Sequence, residues 1–346
     1  MEDIKKKIGQ MLIVGFRGFE LNKENHIYKD IKNNNIGGVV IFELDGPAGK
    51  RPRNIISKEQ LKKLIFNLQD LSEKKLFIAI DEEGGNVNRL KEEYGFEKFL
   101  SAQEISALNN EKLAEENFLK IAIALRDVGI NLNFAPVVDV NINPDCPVIG
   151  AKKRSYSNLP EIVCKYAELF IEAHHKNGIL TTLKHFPGHG SSLTDSHIGF
   201  VDITNTWKEE ELIPYQELIK KGKCNLIMTG HLYNKKLDEE YPATLSKKII
   251  NNLLREKIGW QGLIISDDLQ MKAISDFFGL EKAIELAINA GIDLLLFSNN
   301  TTFYDDYIVE KVISIILKLI KEGRIKEEQI EKAYKNIMLA KKKLVN

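Results

Sequence analysis

The stretch "GLIISDD" (residues 262–268) is a short apolar run that ends abruptly in two aspartates. Similar runs recur along the whole chain: "MLIVGF" (11–16), "IGGVVIF" (36–42), "LFIAID" (76–81), "INLNFAPVVDV" (130–140), "ILTTLKHF" (179–186), "NLIMTGHL" (225–232) and "IDLLLFS" (292–298). Within each run the apolar residues follow one another almost without interruption and do not alternate with polar ones. This pattern is typical of parallel strands buried on both faces. We therefore interpret all eight runs as buried parallel strands.

Segments with helical spacing lie between these runs. The segment at 159–178, "LPEIVCKYAELFIEAHHKNG", and the segment at 279–291, "GLEKAIELAINAG", both end in a glycine that suits a helix stop. After residue 305 the pattern is helical to the end, and we find neither a linker nor an internal repeat. The alternation predicts one domain over residues 1–346, a single (β/α)8 TIM-like barrel with C-terminal helices. The runner-up is an open doubly wound sheet, but no GxGxxG follows any strand.

Composition and charge narrow the class of protein. The 346 residues are 43% hydrophobic, and 49 basic residues balance 49 acidic ones. Without net charge or a basic stripe, nucleic acid is not an expected partner. The three cysteines lie far apart, which indicates neither a disulfide framework nor a zinc knuckle. We expect Cys164 and Cys224 to be buried, and we expect Cys146, in a loop after Pro144 and Asp145, to be open to solvent.

The N-terminal segment "MEDIKKKIGQMLIVGF" has basic residues followed by only a brief apolar run. That run is too short for the core of a signal peptide. Nowhere in the sequence does an apolar segment approach the length needed to span a membrane. We therefore expect a soluble, cytoplasmic protein with no membrane partner.

Polar residues stand at the ends of five of the predicted strands, where a buried strand should not carry charge. The third, fifth, sixth and seventh runs deliver Asp81, Lys184, His185, His231, Asp267 and Asp268, and the fourth continues into "NPDCPVIGAKKRSYS" (143–157). In a (β/α)8 barrel the carboxyl ends of all strands meet at one face, which carries the active site. An ionised side chain is costly to bury, so these groups predict an open polar cleft.

The segment that follows the fifth run, "KHFPGHGSSLTDSH" (184–197, the histidine loop), holds three of the seven histidines. One reading is a metal site of His185, His189 and His197, although their spacing matches no zinc signature. A second is a structural loop whose histidines pair with backbone groups. A third is a serine nucleophile, Ser191 or Ser196, although no GxSxG elbow is present.

The fourth reading is acid/base chemistry. Asp195 and His197 stand two residues apart, close enough for the carboxylate to fix the imidazole tautomer and favour its charged form. Histidine titrates near neutral pH, which suits a group that first gives and later takes a proton. Asp267, at the end of a rigid strand, is the matching candidate for a carboxylate nucleophile. Asp268 is instead expected to cap a helix.

The histidine loop closely resembles the signature of family 3 glycoside hydrolases of the β-N-acetylglucosaminidase type. "AIDEEGGNVNRL" is similar to that family's D-[QE]-E-G-G-x-V-x-R-[LF] segment. Further matching segments run in the expected order: "APVVDVNINPDCPVIG" with "RSYS", then "PATLS" (242–246) and "ISDDLQM" (265–271). The resemblance extends to both ends of the chain.

The resemblance implies a retaining mechanism through a glycosyl-aspartate intermediate, without a cofactor or a metal. It assigns Asp267 as the nucleophile, His197 as the acid/base, and Asp195 as the residue that orients His197. The matched sugar-contacting residues are Asp81, Arg89, Arg154, Lys184 and His185. Gly188 and Gly190 would let the histidine loop bend and move.

Three departures from the family pattern bear on these roles. Lys152 and Lys153 are extra residues before Arg154, which puts the register of that arginine in question. Glu82 stands where many members have glutamine, and we expect its charge to be solvated or paired with Arg89. The segment "ELDGPAGKRPRN" (43–54) is either a solvated loop or a basic rim for bulkier substrate groups.

The resemblance implies an exo-acting hydrolase that removes a terminal β-linked N-acetylglucosamine from cell-wall fragments, the anhydromuropeptides. We expect the protein to be a monomer. A family 3 β-glucosidase, an N-acetylglucosaminide phosphorylase and a non-catalytic sugar-binding barrel are the alternatives. Trp207 and Trp260 are candidate sugar platforms, although Trp260 is expected to pack beside the seventh strand.

Overall fold

Eight parallel strands form a closed barrel in the computed structural model, which describes residues 2–196, 198–301 and 303–344. Each strand pairs with its neighbour in chain order, and the last pairs with the first. A single parallel bridge between Ile265 and Leu294 joins the seventh and eighth strands and closes the ring. The strands are β1 (Leu12–Gly15), β2 (Gly38–Ile41), β3 (Phe77–Ile80), β4 (Leu132–Asn133), β5 (Leu180–Phe186), β6 (Leu226–Thr229), β7 (Leu263–Ser266) and β8 (Leu295–Phe297). The predicted (β/α)8 barrel is confirmed.

Helices surround the barrel and connect its strands. They are α1 (Glu2–Gln10), α2 (His26–Asn34), α3 (Lys58–Leu71), α4 (Ala102–Ala107), α5 (Glu111–Val128), α6 (Pro160–Lys176), α7 (Ile213–Lys220), α8 (Lys272–Phe278), α9 (Leu280–Ala290), α10 (Ile308–Lys321) and α11 (Glu327–Lys341). A π-type helix, Lys248–Lys257, lies between β6 and β7, and short 3-10 turns form at Glu92–Tyr94, Glu209–Leu212 and Ala243–Leu245. A small parallel pair, Val201–Asp202 with Leu232–Tyr233, lies outside the barrel.

The helix ends follow from residues visible in the sequence. Ser57 caps α3 by accepting a hydrogen bond from the Gln60 amide, and Asn110 caps α5 in the same way. Gly291 ends α9 with a φ of +101°, a conformation that glycine adopts without a steric penalty. The predicted helices at 159–178 and 279–291 are therefore confirmed as α6 and α9.

The fourth apolar run differs most from its prediction. Of residues 130–140, only Leu132–Asn133 forms a regular strand. Pro136 has no N–H group to continue the ladder, and only one more bridge, Val137 to Lys184, follows. The chain after β4 is therefore free to leave the sheet geometry, and it delivers Asp139 beside the histidine loop.

The cysteines and tryptophans correct two expectations. All three cysteines are buried, and Cys146 is 0% exposed rather than open to solvent, because its thiol packs against Ser192 Oγ at 3.1 Å. Trp260 packs beside β7 as predicted, and its indole donates to the Leu263 carbonyl. The Trp207 indole donates to the Pro187 carbonyl at 3.0 Å, so it supports the histidine loop rather than forming an open sugar platform.

The first and last described helices meet at the amino-terminal end of the barrel. Lys7 of α1 pairs with Glu331 of α11 at 2.6 Å. Lys341, at the end of α11, is buried and donates to Gln10 Oε1 and to the Gly37 carbonyl, both at 2.8 Å. Burial lowers the pKa of this lysine to about 7. Across the described ranges, no helix has the length and apolar character needed to cross a membrane.

Candidate active site

A cavity of about 320 Å³ opens at the carboxyl ends of the strands. Three residues of the predicted site, Asp81, Arg89 and Asp267, line it together. The remaining lining residues are Val40, Phe42, Asp268, Met271, Leu296, Ser298, Asn300 and Thr301. The cavity thus combines an apolar floor with carboxylates and a cation at its edge, which suits a small polar ligand with hydroxyl groups.

The two consecutive aspartates after β7 have different surroundings. The Asp267 amide donates to the Thr229 carbonyl, and Asp267 Oδ1 accepts from the Asp268 amide at 2.8 Å, so the backbone holds Asp267 at the cavity. Asp268 is buried, and its carboxylate accepts from the Ser298 amide, the Ser298 hydroxyl and the Gln270 amide. Asp268 therefore ties β7 to β8 rather than capping α8, whose N-cap is Met271. Burial raises the pKa of Asp268 to about 6.

A row of alternating charges runs beside the cavity. Lys184 Nζ lies 2.6 Å from Asp81 Oδ1 and 2.7 Å from Glu83 Oε1. Arg154 binds Glu83 with two hydrogen bonds, of 2.8 and 2.7 Å. Burial alone would raise the pKa of Glu83, but the charges of Arg154 and Lys184 outweigh it and hold that pKa well below its usual range. Glu83 therefore stays ionised and fixes both cations.

Asp139 holds the start of the histidine loop. Its Oδ2 atom lies 2.8 Å from His185 Nδ1, and its Oδ1 atom accepts from the amides of His185 and His189. Asp139 is 0% exposed. The sequence analysis overlooked both Asp139 and Glu83, and the only available signal was a charged residue inside or directly after an apolar run.

Glu82 corrects an expectation about charge at the site. It is 0% exposed, so it is not solvated, and its Oε2 atom accepts from the backbone amides of Arg89 and Leu90 at 2.9 Å. Burial raises the pKa of Glu82 to about 8, although those backbone donors partly offset the effect. Glu82 thus behaves as an uncharged group that shapes the turn carrying Arg89 to the cavity.

The two extra lysines before Arg154 do not displace it. Lys152 and Lys153 occupy an exposed turn, in which Lys153 adopts a φ of +58°. The Arg154 amide returns to the Ile149 carbonyl at 3.0 Å, and its side chain reaches Glu83 and comes within 3.5 Å of His185 Nε2. Lys152 and Lys153 therefore lie in an exposed turn, and Arg154 still contacts Glu83.

The segment 43–54 contains one buried cation, Arg53, and two exposed ones, Lys50 and Arg51. Arg53 is buried and donates to the carbonyls of Phe16, Ser298 and Asn299, so it joins strand ends instead of facing substrate. Burial lowers the pKa of Arg53 to about 10. Arg51, Arg89 and Lys91 lie 3.5–4.0 Å from the buried carboxylate of Glu43, where they form a cationic edge near the cavity.

The histidine loop, taken together with the residues that follow it up to residue 200, has a buried base (187–192) and a more exposed tip (193–196 and 198–200). Within the tip, Asp195 lines a second cavity with Pro147, Thr194, Ile198, Gly199 and Phe200. His197, the predicted acid/base, lies outside the described residues. The structure therefore brings Asp81, Arg89, Lys184, His185, Arg154 and Asp267 into one connected region, and places Asp195 in the tip of the histidine loop, beside a second cavity.

The structure also bears on the other three hypotheses for the histidine loop: a serine nucleophile, a purely structural loop and a metal site. Ser191 is buried, and His189 is buried with Nδ1 2.7 Å from Ser192 Oγ. Burial and the nearby His185 lower the pKa of His189 to about 4, so it is neutral at physiological pH. In the part of the chain that the structure describes, no group of three or more metal-ligating side chains could hold a metal ion. His231, at the end of β6, contacts Thr244 Oγ1 and the Asp268 carbonyl, each within 3 Å.

Comparison with known proteins identifies the family. The family described as "Glycosyl hydrolase family 3 N terminal domain" matches residues 3–340. The chain belongs to glycoside hydrolase family 3. A family 3 β-N-acetylglucosaminidase from Paenibacillus has a similar solved structure, with a TM-score of 0.88 and 32% identity over 98% of this chain.

Two relatives have closely related names but are covered by this chain to different extents. A β-hexosaminidase from Tolumonas auensis is 35% identical over 84% of this chain and 83% of its own length. A β-hexosaminidase A from Pseudoalteromonas piscicida is 33% identical over 91% of this chain. The chain spans 54% of the Pseudoalteromonas protein and 62% of the Paenibacillus one, so the shared part is the family's barrel.

Proposed function

We propose that this family 3 chain is an exo-acting, retaining β-N-acetylglucosaminidase that acts as a single barrel domain. The observation that carries the proposal is the joint position of Asp267, Asp81 and Arg89 in one cavity at the strand ends. Carboxylate oxygens can accept hydrogen bonds from sugar hydroxyls, and the arginine can donate to them, which compensates their loss of water. The relatives named β-hexosaminidase support the same activity.

The proposed reaction has two steps. The Asp267 carboxylate attacks C1 of the terminal sugar, and the departing oxygen takes a proton from His197. His197 then removes a proton from water, and the hydroxide attacks C1 and releases Asp267 with net retention. Asp195 orients His197 in both steps. Because His197 lies outside the described residues, its role rests on the sequence motif.

The row of charges next to the cavity gives Asp81 a fixed orientation. Lys184 holds Asp81 Oδ1 at 2.6 Å and is itself fixed by Glu83. A carboxylate that is held in place before the substrate binds loses little entropy on binding, so its hydrogen bonds to the sugar are more effective. Lys184, His185 and Arg154 are proposed to complete the sugar site.

We propose N-acetylglucosaminyl anhydromuropeptides as the natural substrates. The sequence motifs support this choice, as does the cationic edge of Arg51, Arg89 and Lys91, which suits an acidic group beyond the terminal sugar. Comparison of muropeptides with and without peptide carboxylates would test that contribution through KM.

The activity is tested with p-nitrophenyl β-N-acetylglucosaminide against the matching β-glucoside. We expect faster release from the N-acetylglucosaminide, and we expect Asp267→Ala to lower kcat by about 10⁴-fold because the nucleophile is lost. Asp276→Asn, an exposed carboxylate in α8, is the control and should retain activity. A fluorinated sugar should leave a covalent adduct on Asp267, which peptide mass spectrometry locates.

Other outcomes would replace the proposal. Faster hydrolysis of the glucoside would identify a β-glucosidase. Sugar 1-phosphate formed in phosphate buffer would identify a phosphorylase, and sugar binding without turnover would identify a non-catalytic barrel. Undiminished activity of Asp267→Ala would refute the nucleophile.

A further inference from the structure

A buried acid lies under the base of the histidine loop and has no role in the reaction proposed above. Glu211, in the short turn Glu209–Leu212 before α7, is 0% exposed. Its Oε1 atom accepts from the Lys208 amide at 3.2 Å. Its Oε2 atom is buried and has no hydrogen-bond partner among the described residues. Burying a polar atom without a hydrogen-bond partner costs folding free energy, which indicates that Glu211 has a specific role.

The unpaired side of Glu211 faces the loop base. A Cβ atom added to Gly188, where φ is +125°, would lie 2.7 Å from Glu211 Cβ and 2.8 Å from Oε2. The Ser191 side chain and the Gly190 amide lie close enough to lower the pKa of this carboxyl group, although neither completes a hydrogen bond to Oε2. Ser191 Oγ is itself buried and unpaired among the described residues. The carboxyl and the hydroxyl can satisfy each other after a small adjustment, because each supplies what the other lacks.

A residue just before the same turn also contacts the loop base. The Trp207 indole donates to the Pro187 carbonyl at 3.0 Å. The segment Trp207–Glu211 therefore supports residues 187–191 from the α7 side, whereas Asp139 and Asn143 hold the same residues through His189 N and the Gly190 carbonyl.

We propose that Glu211 is a positioning residue for the glycosidase reaction: its uncharged carboxyl group supports the turn Gly188–Ser191, from which the tip of the histidine loop extends. This inference rests on the proposed function, since the tip carries Asp195 and His197. In the uncharged form the O–H group donates to Ser191 Oγ while Oε1 keeps the Lys208 amide. Ionisation would place a second buried negative charge near Asp139 and weaken the turn.

The charged and titratable surroundings of Glu211 favour the uncharged form. Asp139, after β4, is an anion that opposes a second negative charge, and Tyr215 of α7 is a buried phenol close to both. Burial raises the pKa of Glu211 to about 8, although Ser191 and the amides of Lys208 and Gly190 partly offset it. The carboxyl group is therefore mainly protonated at neutral pH and ionises in the alkaline range.

The test compares Glu211→Gln, Glu211→Ala and a control, Glu209→Gln, which changes an exposed acid of the same turn. Glutamine reproduces the uncharged acid, so kcat at pH 7 should stay within about twofold, and the fall in kcat above about pH 8 should move to higher pH. Alanine should lower kcat about tenfold with KM changed less than about twofold, because the sugar cavity is untouched. The control should match the wild type.

A second readout does not need turnover. In a Trp260→Phe background, Trp207 is the single tryptophan, and its fluorescence reports the loop base. We expect an emission change centred near pH 8 that disappears in Glu211→Gln. Identical pH profiles and identical titrations in the wild type, Glu211→Gln and Glu209→Gln would overturn the role of Glu211. Absence of hydrolysis by the wild type would overturn the proposed function alone, since the fluorescence titration still decides whether Glu211 controls the loop base.

Discussion

The two halves of the histidine loop differ sharply although they adjoin. In the base, residues 187–192 are all buried, and the described hydrogen bonds reach Asp139, Asn143 and Trp207. In the tip, Leu193 is 67% and Ile198 is 75% exposed, and several described hydrogen bonds stay within the tip, such as those from the amides of Ile198 and Gly199 to the Asp195 carbonyl. A fixed base with a less buried tip is the arrangement expected of a segment that adjusts around a substrate from a defined starting point.

Two glycines of this loop provide the sharpest test of the difference. A Cβ atom at Gly190 in the base would lie 1.8 Å from the Val140 carbonyl oxygen, whereas a Cβ atom at Gly199 in the tip would meet nothing within 4 Å. We expect Gly190→Ala to cost more than about 3 kcal/mol of unfolding free energy, because backbone must move. Gly199→Ala should change it by less than about 0.5 kcal/mol, measured by urea unfolding. Equal effects at the two sites would remove the distinction.

The next largest effect is expected from Asp139, which holds the base of the histidine loop in place through His185 and His189. Asp139→Asn keeps the shape of the side chain but removes its negative charge beside His185 and replaces one hydrogen-bond acceptor by a donor. We expect kcat/KM to fall about 100-fold, because the start of the loop shifts relative to the cavity. Steady-state kinetics would show this, with Asp145→Asn, an exposed acid of the neighbouring loop, as the unaffected control. Wild-type activity in Asp139→Asn would mean that the loop is positioned from elsewhere.

The buried part of the histidine loop should also make the free energy of unfolding depend on pH in the acidic range. The pKa of His189 is lowered to about 4 from the usual 6.5 by burial, so the unfolded chain takes up a proton at higher pH than the folded chain does. Stability is therefore lost as the pH falls from about 6.5 to about 4, by about 3 kcal/mol in total from this group. His189→Asn should flatten this part of the profile of unfolding free energy against pH, whereas His26→Asn, at a partly exposed site in α2, should not. An unchanged acid slope in His189→Asn would contradict the assignment.

The smallest effect is expected at the tip. Leu193→Ser and Ile198→Ser replace exposed apolar side chains that contribute little to the core. Each should change the melting temperature by less than about 2 °C, which corresponds to a few tenths of a kcal/mol. Differential scanning calorimetry would detect a larger loss, which would show that these side chains pack against the body of the protein.

The sequence predicts the fold well because the barrel strands are continuous apolar runs, and each run places its last residue at a common face. Asp81, Lys184 and Asp267 could be placed at that face for this reason. The hydrogen-bond partners of these residues could not be predicted, because they come from different strands. Lys184, on β5, pairs with Asp81 and Glu83, which follow β3. Sequence spacing gives no measure of distance between side chains on separate strands.

Pairs of adjacent acidic residues show most clearly that the environment of a side chain cannot be predicted from its position in the sequence. Glu82 and Glu83 follow each other, yet burial beside backbone amides raises the pKa of Glu82, whereas two cations hold the pKa of Glu83 down. Successive residues of an extended chain point to opposite sides, so neighbours in sequence meet different environments. Asp267 and Asp268 differ in the same way: both line the cavity, but the Asp268 carboxylate is buried and accepts hydrogen bonds from Ser298 and Gln270. The roles of Asp195 and His197 stay predictions from the motif.

The contact of α1 with α11 through Lys7, Glu331, Gln10 and Lys341 has a practical consequence. Both helices sit at the opposite pole of the barrel from the cavity that Asp267 lines. A bead, a biosensor chip or a fluorescent tag coupled beyond either helix would leave the cavity mouth facing the bulk liquid. The geometry thus favours immobilised formats in which large ligands approach the cavity without obstruction.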